Sequence, residues 1–169
     1  MEDRYRVFFD IDGVLAEFRE SSYQELLSRG YFLDLKPQQE VIDALELLAR
    51  DPSLQVYVLS AFLEESLYAL EEKKIWVARH IPAAAEGLVH CIYLPCGSDK
   101  AAAVPGGIRP KDILVDDYNL NLNSWAAGGI AIKLLNGINN RHGSWKGLTA
   151  GRDAAQIRDV VYKALAASS

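Results

Sequence analysis

The chain predicts an α/β fold, a doubly wound and mainly parallel sheet, and three observations predict it. Short apolar runs alternate with segments of helical period along the sequence. Most of those runs are apolar at nearly every position, which suits strands covered on both faces. The polar residues that stand out fall just after the runs, at what would be one edge of the sheet.

Five runs read as strands: Tyr5–Phe9, Gln55–Leu59, His90–Leu94, Ile113–Val115 and Ile130–Leu134. After the first comes an excursion, Glu17–Lys36, about 20 residues long, with a helix expected around Tyr23, Leu26 and Leu27 before "RGYFLDL". An excursion there leaves from the carboxyl edge, where such folds place ligands, so it predicts a small cap. Pro37 suits the first turn of a helix whose Val41, Leu45 and Leu48 recur at three- and four-residue spacing. Leu63 to Val77 predicts a second helix, with a break near Lys74. Ser98 is expected to cap a short helix ending before Pro105, and Asn119–Ala127 predicts a helix closed by Gly128-Gly129. Ile157, Val161, Ala164 and Leu165 form one face of a last helix. The whole chain, residues 1–169, is expected to be one domain with a small insertion at about residues 17–36.

Half of the residues are hydrophobic and the net charge is −5, which speaks against a nucleic-acid polymer or an anionic membrane as partner. Cys91 and Cys96 lack metal-site spacing and predict reduced thiols. The N-terminus shows no signal pattern and no run reaches membrane-spanning length, so a soluble, cytoplasmic protein is expected.

Chemistry enters at "VFFDIDGVLA", where a buried-type strand ends in two carboxylates and a glycine. Such carboxylates destabilise a fold unless they are paired, hydrogen-bonded or bound to a metal. Ser60 follows "VYVL", Lys100 follows the loop after the third strand, and Asp116-Asp117 follow "DILV". Parallel strands would gather these groups with Asp10 and Asp12 at their carboxyl ends. Crowded carboxylates call for a cation, and all-oxygen donors select a hard one such as Mg²⁺. With one lysine and one hydroxyl added, the assembly suits a phosphate dianion bound with Mg²⁺.

The same residues resemble the four ordered motifs of the haloacid dehalogenase-like phosphatases: "DIDGV", "VLSA", Lys100 in "GSDK", and "ILVDD". Within that superfamily "RGYFLDLKPQQEVIDAL", "KKIWVARHIP" and "ILVDDYNLNLNSW" are similar to the 5′(3′)-deoxyribonucleotidase branch, over about Tyr5 to Gly147. The resemblance implies that fold with a small helical cap, and Mg²⁺-dependent hydrolysis of a small phosphomonoester. It implies Asp10 as nucleophile and metal ligand, forming a phosphoaspartate. It implies Asp12 as proton donor and acceptor, with its main-chain carbonyl on the metal. Asp116 would complete the protein ligands, and Asp117 would orient a metal-bound water or Lys100. Ser60 and the N–H of Ala61 would hold phosphoryl oxygens, and Lys100 would neutralise Asp10 and the transferring group. A (deoxy)nucleoside monophosphate is the implied substrate. The segment 17–36 is shorter than the cap of that branch, so another small phosphomonoester, or a pocket completed by a second subunit in a homodimer, stays open.

Rival readings fare worse. A phosphoacceptor receiver domain would place an aspartate after the third strand, and none closes "HCIYLP". Carbon–halogen cleavage needs no metal and lacks an acid at the position of Asp12. A non-catalytic phosphate-binding protein on the same fold would lose one of these groups, and all are present. Lys74 and Lys111 compete weakly with Lys100. Trp76, Trp125 and Trp145 are expected to be packing groups, and most of Phe18, Tyr23, Tyr31 and Phe32 a core within the cap. His142, in the loop after the fifth strand, is expected to be solvated.

Overall fold

The computed structural model describes residues 3–139 and 145–167, so His142 and its loop lie outside the described residues. Six strands, β1 (Tyr5–Phe9), β2 (Leu54–Phe62), β3 (Val89–Pro95), β4 (Ile113–Asp116), β5 (Ile130–Leu135) and β6 (Leu148–Gly151), form one sheet in the order β3-β2-β1-β4-β5-β6. Every neighbouring pair is parallel. The register aligns Phe9 with Val58 on one side and with Val115 on the other. Asp10 therefore emerges level with Asp116, and its N–H donates to the Val115 carbonyl at 3.1 Å. The chain winds outward from β1 to β2 and β3, then returns to place β4 on the other side of β1. The crevice between β1 and β4 is the topological switch point of the sheet, the usual ligand position in such folds.

Alternation along β1 splits the core into two layers. Val7 and Phe9 pack in the larger one, with α2 (Gln39–Ala49), α3 (Ala69–His80), α4 (Pro82–Ala85) and α6 (Ala154–Ala167). Phe8 faces the smaller one, where it stacks on Tyr57 and meets Trp125 of α5 (Asn119–Ala126) edge-on. At the amino end of the sheet the buried Arg6 guanidinium donates to both Asp112 oxygens and to the carbonyls of Pro105 and Gly107, tethering the loop that leads into β4.

Several expectations change. β6 pairs along β5 although "LTAG" carries little apolar pattern of its own; the open edge of β5 supplies the ladder. Residues 63–68 form no helix. The Ser66 hydroxyl accepts the N–H groups of Tyr68 and Ala69, and α3 starts there and runs unbroken past Lys74 to His80. Ser98 does not cap a helix; only a 3₁₀ turn, Ala101–Ala103, follows, with the Asp99 carboxylate accepting the Ala101 N–H. Residues 17–36 contain α1 (Tyr23–Leu26), one turn opened by a capping box between Ser22 and Glu25. The later limb of this segment belongs to the main core, because Tyr31, Phe32 and Leu35 are buried with α2 and α3, while Phe18 and Tyr23 stay exposed. Among the described residues no helix is long and apolar enough to cross a membrane.

Candidate active site

The carboxyl rim at the switch point gathers Asp10, Asp12, Ser60, Ala61, Lys100, Asp116 and Asp117. Asp10 ends β1. Two residues on, the chain turns back sharply: the Gly13 N–H donates to the Ala16 carbonyl, and the Ala16 N–H to that of Ile11. Gly13 sits at φ +79°, and a Cβ there would stand 2.2 Å from Asp117 Oδ2, so both backbone hand and space require glycine. This turn separates the Asp10 and Asp12 side chains.

Lys100 lies beneath the rim with its ammonium 3.1 Å from Asp10 Oδ1 and 2.8 Å from Asp116 Oδ2. Asp116 is wholly buried, and its oxygens are spoken for: Oδ1 accepts the N–H groups of Asp117 and Tyr118, and Oδ2 accepts Lys100 and Asn121. Asp117 Oδ2 accepts the amides of Asn136 and Asn139, and Asn136 also donates to the Gly13 carbonyl, tying the β5 end to the turn after β1.

Burial raises the Asp10 carboxyl to about 8; Lys100 opposes the shift, and the Asp116 charge adds to it. Burial, then the Asp116 charge, lifts Asp117 to about 7 against the hydrogen bonds from Asn139 and Asn136. Burial alone would lower Lys100, but the Asp10 and Asp116 charges outweigh it, and the net shift is upward. The site is thus short of positive charge. Asp10, Asp116 and Asp117 each offer an oxygen, these lying within 4.8 Å of one another, a fit for a hard divalent cation. Asp117 joins this triangle rather than reaching Lys100, while the Asp12 carboxylate stands outside it.

Asp12 instead pairs with a lysine that sequence reasoning passed over. Lys73, on α3, is 2 % exposed, and its ammonium donates to the Asp12 carboxylate, to Ser60 Oγ at 3.1 Å and to the Ala61 carbonyl at 2.6 Å. A signal for it exists: Ala69, Lys73 and Val77 share the buried face of α3 at four-residue spacing, so Lys73 occupies a core position on that helix. Asn121 and Asn136 were also missed, being polar residues of loop and helix with no pattern of their own. Beside Asp12, Ala61 and Lys73 opens a cavity of about 250 Å³, roofed by Phe18, Arg19, Tyr31 and Phe32 of the segment after β1.

Comparison with family models matches residues 7–164 to the family described as 5′ nucleotidase, deoxy (pyrimidine), cytosolic type C. Among solved structures, a putative haloacid dehalogenase-like phosphatase from Mesorhizobium loti is similar at 11 % identity and a TM-score of 0.58, over 96 % of this chain and 87 % of that one. The haloacid dehalogenase domain of the effector Lem4 from Legionella pneumophila is similar at 12 % identity and a TM-score of 0.50, over 98 % and 97 %. At these identities the likeness is one of fold. Comparison with curated proteins gave no match.

Proposed function

The chain belongs to the 5′ nucleotidase, deoxy (pyrimidine), cytosolic type C family of haloacid dehalogenase-like phosphatases, and on that premise we propose a Mg²⁺-dependent hydrolase of (deoxy)nucleoside monophosphates that works through a phosphoaspartate. One observation carries the proposal: Asp10, Asp12, Ser60, Lys100, Asp116 and Asp117 meet at one rim, beside a cavity, at the switch point.

Asp10 attacks phosphorus, and the bond to the leaving oxygen breaks as the new P–O bond forms. Asp12 gives that oxygen a proton, then takes one from the water that cleaves the phosphoaspartate, restoring Asp10 and releasing phosphate. Ser60 and the Ala61 N–H hold phosphoryl oxygens, and Lys100 offsets charge on Asp10 and on the group in transfer. Mg²⁺, held by Asp10, Asp116 and the Asp12 main-chain carbonyl with Asp117 beside it, would shield the approach of carboxylate to phosphate. Segment 17–36 serves as a small cap on a single hydrolase domain, and the cytoplasm is its proposed location, the family being described as of cytosolic type.

The test is phosphate release from nucleotides, sugar phosphates and p-nitrophenyl phosphate, with Mg²⁺ and with chelator. Metal-dependent turnover with nucleoside monophosphates preferred is expected. A preference for sugar phosphates would move the substrate to another small phosphomonoester, which the 250 Å³ cavity also admits. No turnover of any of them would remove the enzymatic reading.

A further inference from the structure

Asp10 and Asp12 are two residues apart at an acidic rim, yet only Asp10 shares the triangle of oxygens suited to a cation. A carboxylate left free at such a rim would turn toward any divalent ion held there. Something therefore keeps Asp12 away. We propose that Lys73 is a positioning residue that acts through Asp12, holding its carboxylate on the cavity side so that it faces the leaving group instead of the metal.

An ammonium has three N–H donors, and those of Lys73 have three acceptors: the Asp12 carboxylate, the Ser60 hydroxyl and the Ala61 carbonyl. With no donor to spare, Lys73 is built to orient its neighbours; a direct contact to phosphate would cost it one of these bonds. Its own position is set from behind. The adjacent Glu72 is buried, and its carboxylate accepts the N–H groups of Gly30 at 2.6 Å, Phe32 at 3.2 Å and Leu33 at 3.4 Å. One turn later the Trp76 indole donates to the Leu35 carbonyl at 2.8 Å. The Phe32 ring, whose centroid is 4.8 Å from the Lys73 ammonium, closes the cavity side. Helix α3 thus fastens the cap limb with Glu72 and Trp76 and the acid–base carboxylate with Lys73, so roof and proton donor keep one relative placement.

The inference rests on the phosphatase reading and is tested by leaving-group dependence. A nucleoside 5′-monophosphate expels an alkoxide that needs a proton, whereas p-nitrophenyl phosphate expels a phenolate that does not. Lys73→Gln, assayed with Mg²⁺, is expected to lower kcat/KM, which reports the steps up to departure of the leaving group and not the shared hydrolysis of the phosphoaspartate, by about 100-fold on the nucleotide, the scale of a lost general acid, and by less than about 10-fold on p-nitrophenyl phosphate. Equal losses on both substrates would overturn the proposal, because a phosphate contact or a purely structural ion pair weakens both alike. Should the glutamine variant not fold, Lys73→Arg carries the test: its planar fork cannot meet the same three acceptors, so the ratio of the two activities should still fall by about threefold or more, and an unaltered ratio overturns the proposal. Wild-type enzyme inactive on both substrates would overturn the phosphatase reading itself; an active wild type with an unaltered variant ratio overturns only the role of Lys73.

Discussion

Gly13→Ala adds one methyl group at the most crowded point of the rim. The new Cβ would lie 2.2 Å from Asp117 Oδ2 and 2.8 Å from its Cγ, against an ordinary contact of 3.4–4 Å. Asp117 cannot retreat while keeping both asparagines, since Asn136 holds its oxygen at 2.9 Å and the Gly13 carbonyl at 3.0 Å. Losing a hydrogen bond to a charged group costs about 1.5–3 kcal/mol. Holding alanine in the left-handed region, where Gly13 sits at φ +79°, costs about 1–2 kcal/mol more. The expected destabilisation is about 2.5–5 kcal/mol, and at about 2–4 °C per kcal/mol for a chain of this size Tm should fall by about 5–20 °C. Urea and thermal unfolding at about pH 8, where Asp117 is ionised, measure it. The source of the loss is checked in the Asp117→Ala background: with the carboxylate gone the methyl has room, and a coupling of about 1.5 kcal/mol or more should appear. A loss below about 0.5 kcal/mol, or strictly additive losses, would refute the steric reasoning.

Asp10→Asn should abolish turnover while its metal-free form melts no lower than wild type, because the neutral amide removes a carboxylate that burial already disfavours; retained activity would rule out Asp10 as nucleophile. Asp116→Ala takes away one corner of the cation triangle and the acceptor of four hydrogen bonds, so Mg²⁺ affinity measured by calorimetry should drop by about 100-fold or more, and an unchanged affinity would exclude Asp116 from the ligands. Stability without metal should fall as pH rises: with Asp10 lifted from 3.8 to about 8 and Asp117 to about 7, the folded state holds more protons than the unfolded chain between those values. A divalent ion binds the ionised carboxylates and offsets the loss, so the Mg²⁺-induced gain in Tm should be larger at about pH 8 than at about pH 5.5. A gain independent of pH would mean that the cation binds elsewhere.

What the linear order of residues settled is the sheet and the identity of its acidic groups. Doubly covered strands must be apolar at nearly every position, so β1, β2, β4 and β5 announce themselves, and carboxylates at the ends of such strands are too costly to be incidental. Asp10, Asp12 and Asp116 stood out as candidates for that reason, and Ser60 and Lys100 only by their place after strands and by the ordered motifs they complete. β6 was not legible, because its pairing comes from the open edge of β5 and not from its own four residues. Nor was Lys73: a charge inside a helix looks solvated until the fold shows which face is buried and what it meets there. Its partner Asp12 lies 61 positions away, and only the packing of α3 against the β1 turn brings the two into contact. The separate settings of the two aspartates of "DIDG" are likewise tertiary, since the Lys73 ammonium holds Asp12 beside Ser60 at the end of β2, while the Lys100 ammonium holds Asp10 beside Asp116 at the end of β4.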